Sequence, residues 1–390
     1  MRGRHRHLRL LTGILCGALL IPVCQADEES AKSQYSNLEN GDIISVSLDQ
    51  LLPTQAVLDY DAIFANLQRY ANDPANMFND LCRLNGAQKV KSWTEDSMPT
   101  NPDSYTCTAK NGSDADALAT VVVGPENGVL YLTSRLTALS TFWDMPNGGT
   151  SVPITVKVSH NLIESGDDFW AEMNHDNAVW LYDFKGKKVS PDDLPEYIGM
   201  KQLKHDKYLT LVNLLNGISY TAPKPDGKDN TSATVPFLHL QWALELRKQM
   251  KISEYDLNDP EEFATALTEA ATIMVDLLDD QEIGKSKRTA LMMGQFDQVD
   301  SKALEALLTN EKSPFGLSVA YRLAQKVKST PKVVLEEEKA KKEKANKANS
   351  EEKSDAGSGK EPNSTDKQSS ADKQSATDKQ STTEKETPEE

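Results

Sequence analysis

Recognisable chemical signatures are what this sequence has least of. It contains no Gly-x-Ser-x-Gly elbow, no phosphate-cradling glycine loop of the Walker type and no His-Glu-x-x-His pair. The usual marks of serine hydrolases, P-loop enzymes and zinc peptidases are therefore missing, and no cofactor is expected. Histidine is scarce, with six in 390 residues, two of them within the first seven. Of four cysteines, Cys16 and Cys24 fall in an N-terminal apolar run, which leaves Cys82 and Cys107. Neither forms the Cys-x-x-Cys spacing of a redox centre. No aromatic residue follows Tyr321. Positive charge is also short: 43 Lys and Arg face 59 Asp and Glu, a net charge of −16.

What is present at the N-terminus reads as an export leader. Arg2, Arg4, Arg6 and Arg9 precede the apolar run Leu10 to Val23, and Cys24-Gln25-Ala26 offers a small-residue cleavage site. That is the three-part plan of a secretory signal over residues 1–26, and the run is too short for a span of ~20 residues. Its removal takes the charge to −20. A chain this acidic repels phosphate backbones and anionic lipid. The expected partners exclude nucleic acid and are another exported protein or an envelope polymer, with no transmembrane span in the mature chain. In an oxidising compartment the two remaining cysteines, Cys82 and Cys107, are expected to pair.

Composition divides the rest. Residues 27–44 read as a flexible leader. Residues 331–390 are polar, with a Lys/Glu run and a six-residue unit repeated as NSTDKQ, SSADKQ, SATDKQ and STTEKE. Such a segment buries too little apolar surface to offset its ordering entropy, so a disordered tail is expected. Between them, residues 45–190 read as an α+β domain. Ile63, Phe64, Leu67 and Tyr70 fall at helical spacing, as do Met77, Phe78, Leu81 and Leu84. Residues 105–109, 119–136 and 152–163 read as strands, the second as a hairpin about GPENG. Residues 195–330 read as a helical domain. Asp259-Pro260-Glu261-Glu262 opens one helix, expected to run to about Asp280. Lys285–Met293 and Ser301–Leu308 suggest two more, and Ser313-Pro314 opens the last. The fold class predicted is α+β: a small antiparallel sheet packed on two helices, followed by an all-α domain and the tail.

Candidate sites are sparse. In SGDDFWAEMNHDNAVWLYDF, residues 178–184 alternate as a strand and Phe169–Met173 reads as its partner, so His175 falls at a hairpin tip. Glu172, His175 and Asp176 are the nearest thing to a metal set, although strand alternation does not make them converge. His160 ends the 152–158 strand run close to Glu164, Asp167 and Asp168, and this is the best acid–base grouping in the chain. His205-Asp206 reads as a solvated helix face and His239 as a partly buried helical side chain. The acidic stretch DLLDDQE, residues 276–282, lacks the alternation and glycine of a calcium loop. Asn111, Asn230 and Asn363 begin glycan-acceptor patterns. The functional expectation is an exported, periplasmic or extracellular, non-enzymatic binding or assembly protein. The alternative is an envelope-polymer hydrolase using His160 with a nearby carboxylate.

Overall fold

A computed structural model describes residues 34–125, 128–223 and 235–329 of the chain. The export-leader reading, residues 27–33 of the flexible leader, two of the three glycan patterns and the tail lie outside these residues. The described residues up to Lys326 belong to one unit.

The chain first forms β1 (Ile43–Ser47), β2 (Leu51–Pro53) and β3 (Val57–Leu58), then α1 (Tyr60–Asn72) and α2 (Ala75–Leu84). Asp59 caps α1 by accepting the Ala62 amide at 3.2 Å, and Asp73-Pro74 separates the two helices. A short antiparallel pair, β4 (Val90–Ser92) and β5 (Thr106–Cys107), follows. Next come β6 (Ala119–Val123), β7 (Leu130–Leu132), α3 (Leu136–Asp144), β8 (Pro153–Asn161) and α4 (Phe169–His175). The second half contains β9 (Lys204–His205), α5 (Lys207–Leu214), α6 (Leu238–Gln249), α7 (Pro260–Asp276), α8 (Ser301–Thr309) and α9 (Pro314–Ser329).

The main sheet has the order β1-β8-β6-β7-β2. It is mixed: β1 and β8 run antiparallel, as do β6 and β7, but β6 runs parallel to β8 and β2 parallel to β7. The chain is thus α/β, which corrects the expected small antiparallel sheet on two helices. The β6–β8 pairing is parallel because α3 carries the chain from β7 back to β8 beside β6, and β2 and β7 are likewise joined by a long crossover that includes α1 and α2. Central β6 is covered on both faces. Ala119, Val121 and Val123 join a core with α1, α2 and α3, whereas Val122 packs with Tyr131, Phe169, Met173 and Val179 on the other side. The run Val121–Val123 therefore lacks a polar face, as a doubly covered strand should.

The second half is not all-α either. β9 pairs parallel with β3, so Lys204 and His205 lie beside Val57 and Leu58. Around α5–α8 a second core gathers Trp242, Tyr220, Phe263 and Leu215, all buried. Residues 169–175 form a helix rather than the partner of 178–184, because Phe169 and Met173, four residues apart, both plug the β6–β7 face. Lys285–Met293 is not helical: Glu282 bridges Thr289 and only Leu291–Met293 makes a 3-10 turn. α7 stops at Asp276 instead of about Asp280.

Cys82 of α2 is bonded to Cys107 of β5, with Cα atoms 5.7 Å apart and 25 positions between them in sequence. Closing a loop of that size stabilises by about 3 kcal/mol in the chain-entropy account. Reduction should therefore lower the unfolding free energy by about 3 kcal/mol, read from urea titrations with and without reductant. Coincident midpoints would contradict it.

Candidate functional site

The residues singled out from sequence do not assemble into a centre. His160 is exposed at the end of β8, opposite Val122. Glu164, Asp167 and Asp168 are exposed too, the last two on the 3-10 turn Gly166–Asp168. Among the described residues no hydrogen bond or ion pair joins His160 to any of them. The imidazole Nδ1 of His175 lies 2.9 Å from Asp176, an exposed neighbour pair. Glu172 instead accepts from Ser165 at 2.8 Å. Among the described residues, no side-chain hydrogen bond or ion pair joins Glu172 to His175 or Asp176.

A buried set forms where sequence reading saw only a helix start. Asp59, Asp61 and His205 have ligand atoms within 4.8 Å of one another, brought together by the β3–β9 pairing and the first turn of α1. Their hydrogen bonds show what the set does. Thr210 donates to Asp59 Oδ1 at 2.6 Å. Its oxygen lies 3.0 Å from His205 Nε2, and its only proton is already committed to Asp59, so Nε2 is the donor there. Asn213 donates to Asp59 Oδ2 at 2.7 Å. Arg322 of α9 grips Asp61 through Nε and Nη2, each at 2.7 Å, and Ser318 also donates to it. Burial opposes the Asp61 charge, but hydrogen bonds from His205 and Arg322 outweigh it and hold the carboxyl well below the usual range. A metal ion would need lone pairs that Arg322 and Thr210 already occupy, and an Nε2 that here carries a proton. The set is a lock joining α1, β9, α5 and α9.

The chemically open place is a cleft of ≈370 Å³. One wall is the end of β2 with Thr54 and Gln55. Another is the segment from β7 into α3, residues 132–138. The third is the start of α6, with Phe237 and His239, and Leu209 and Asn213 of α5 also reach it. Thr54 ties the rim by donating to the Leu132 carbonyl at 2.8 Å. Ser134 Oγ accepts the Thr120 amide at 2.9 Å.

Two features set this cleft apart. Helices α1, α5, α7 and α8 begin on Asp caps, whereas α2, α3, α4 and α6 have no side-chain cap. Of these uncapped starts, those of α3 and α6 present first-turn amides, which lack intrahelical partners, on residues that line the cleft. The residue before each, Arg135 at φ 61° and Phe237 at φ 52°, is held in the left-handed region. For a side chain of that size such a conformation costs of order 1–3 kcal/mol and concentrates at functional sites. Among the described residues no Asp or Glu lines the cleft; Arg135, exposed, and His239, half-buried, are its ionisable side chains.

His239 is set in one tautomer. Tyr220 has one hydroxyl proton; its oxygen lies 3.1 Å from the Val212 carbonyl and 2.6 Å from His239 Nδ1. The carbonyl only accepts, so both contacts are hydrogen bonds when Nδ1 carries the imidazole proton. Nε2 is then the nitrogen with the lone pair. Burial lowers the His239 pKa, which keeps the ring neutral near pH 7.

A family model described as "Putative ParB-like nuclease" matches residues 44–248, more than half the chain. The chain belongs to the ParB-like nuclease family. Every lining residue of the cleft falls inside the matched segment, whereas Ser318 and Arg322 fall outside it. The solved structure of protein Atu1540 from Agrobacterium tumefaciens is 18% identical, covering 60% of this chain and 93% of that chain at a TM-score of 0.41. Comparison with the curated proteins finds no match.

Membership of the ParB-like nuclease family overturns two expectations. The reading as an exported, non-enzymatic binding or assembly protein gives way to a nucleic-acid-related one. The exclusion of nucleic acid on net charge falls with it: that charge is summed over the whole chain, and the cleft itself carries no acid. The exported-protein or envelope-polymer partner goes the same way. No helix among the described residues is long and apolar enough to cross a membrane.

Sequence reading missed Arg135, Asp59 and Asp61 as site residues. It placed His239 on a helix but saw no partner for it. A left-handed φ leaves no mark in composition, and Tyr220 stands 19 positions before His239.

Proposed function

We propose that the chain binds nucleic acid at the β2–α3–α6 cleft and hydrolyses a phosphodiester there. The observation that carries the reading is the acid-free cleft, inside the family segment, onto which two uncapped helix N-termini, Arg135 and His239 are all brought. Uncapped amides at a helix start favour an anion, and Arg135 adds a charge-assisted contact to phosphate oxygens. His239 Nε2 takes a proton from the attacking water. Water adds to phosphorus, the bond to the leaving oxygen breaks, and that oxygen takes a proton, leaving one phosphomonoester and one free hydroxyl. The amides and Arg135 stabilise the charge gathering on the non-bridging oxygens.

The test is binding of a fluorescent single-stranded oligonucleotide to the full chain at several salt concentrations. Arg135→Ala should weaken binding severalfold and reduce the magnitude of the salt slope by about 0.7, the loss of one single-strand phosphate contact. Wild-type protein that binds no oligonucleotide, or an Arg135→Ala variant with an unchanged slope, would overturn the proposal.

A further inference from the structure

Asn213 also lines a second cleft, of ≈560 Å³, formed by the start of α1, the end of α5, α8 and the connection into α9. Leu214, Ile218, Ala303, Ala306, Leu307 and Pro314 give it carbon walls, Asn216, Asn310 and Ser313 add neutral polar groups, and among the described residues the only charged side chain that lines it is Asp59. This carboxylate is 1% exposed. Its Oδ1 accepts from Ala62 and Thr210, and its Oδ2 accepts from Asn213 alone, so Oδ2 keeps a free lone pair. The two basic side chains nearby, His205 and Arg322, make their close contacts with Asp61. Among the described residues none pairs with Asp59. A buried anion without a cation beside it is unfavourable and draws either a proton or a positive ligand. Burial and the Asp61 charge do raise the Asp59 pKa.

We propose that this cleft binds a primary organic ammonium, its head on Asp59 and its hydrocarbon body against the wall of Leu214, Ile218 and Leu307. The walls decide between cation classes. Magnesium and calcium take six or more oxygen ligands, and this cleft offers one free carboxylate lone pair with the neutral side chains of Asn213, Asn216, Asn310 and Ser313 around it. An ammonium needs a few acceptors and gains from apolar burial of its stem. The α8 and α9 side of the cleft lies beyond the family segment, although Asn213 borders both clefts, so amine binding measured without nucleic acid separates this site from the nucleic-acid reading.

The experiment titrates benzylammonium into the full chain without nucleic acid, followed by calorimetry, with benzyl alcohol as the uncharged control. Saturable binding is expected, about tenfold or more tighter than for the alcohol. Asp59→Asn should remove that difference while keeping the α1 cap, since Asn caps as well as Asp. Ala306→Trp, at the exposed rim, should block both ligands with the unfolding midpoint unchanged, which covers the case of a poorly folding Asp59→Asn. Equal binding of amine and alcohol, benzylammonium binding untouched by either substitution, no saturable binding at all, or full displacement of the amine by magnesium chloride at matched ionic strength would each overturn the proposal.

Discussion

A His239→Gln variant should lose about 10²- to 10⁴-fold in turnover of a phosphodiester substrate while its binding changes little, the signature of a lost general base. The reason is local. Tyr220 holds the ring so that Nδ1 donates and Nε2 faces its task unprotonated. Because burial lowers the His239 pKa below 6.5, the rate should rise with pH through that depressed value and level off before neutrality. Tyr220→Phe removes the acceptor that fixes the tautomer. It should lower turnover by a smaller factor and leave oligonucleotide binding intact, which a change in folding would not do. Single-turnover cleavage of a labelled oligonucleotide across pH 5–8 measures all three effects. A His239→Gln variant with wild-type turnover would remove the base from the mechanism.

Arg322→Ala should destabilise the protein by about 3–5 kcal/mol, the range for stripping one partner from a buried ion pair. Asp61 is 1% exposed and would be left with the contacts of His205 and Ser318 but no guanidinium. The deficit should depend on pH, and its sign follows from linkage. In the wild type the folded-state pKa of Asp61 lies below its unfolded value. Its contribution is therefore present above about pH 4 and lost as pH falls through the folded value. Without the guanidinium, burial pushes the carboxyl up instead, so the variant loses stability as pH rises from about 4. The gap between the two proteins should thus be widest near pH 7 and narrow toward pH 4. Urea unfolding at a series of pH values tests this, and a gap constant with pH would assign the loss to packing alone.

Local periodicity made much of the fold legible. The stripes Ile63–Leu67–Tyr70 and Met77–Phe78–Leu81 mark α1 and α2, and GPENG sits between β6 and β7. Asp259-Pro260 and Ser313-Pro314 open α7 and α9 where capping chemistry puts them. Strand order was not legible, because alternation reports which face is buried and not which neighbour a strand takes. β2 pairs with β7 at Leu52 and Tyr131, and Thr54 just beyond β2 bonds to Leu132 across 78 positions. His205 was misread for the same reason. Leu203 lines up with Leu211 and Leu215 at helical spacing, yet the chain stays extended through His205 to pair with β3, and α5 begins only after the Asp206 cap. An aspartate directly before a run of apolar residues was the available signal. The cleft was less legible still. It is made by uncapped helix starts, a left-handed arginine and a tyrosine that sets a tautomer, and none of these is a motif.

Asp61 and Arg322 lie 261 positions apart. During vectorial synthesis at ~5–20 residues per second, the carboxylate leaves the ribosome roughly 10–50 s before its guanidinium exists. Only in the last part of that interval, after residue 248, is the family segment complete in sequence while Asp61 still waits for its guanidinium. Neutralising this buried charge therefore ties the family segment to α9, a helix made after it.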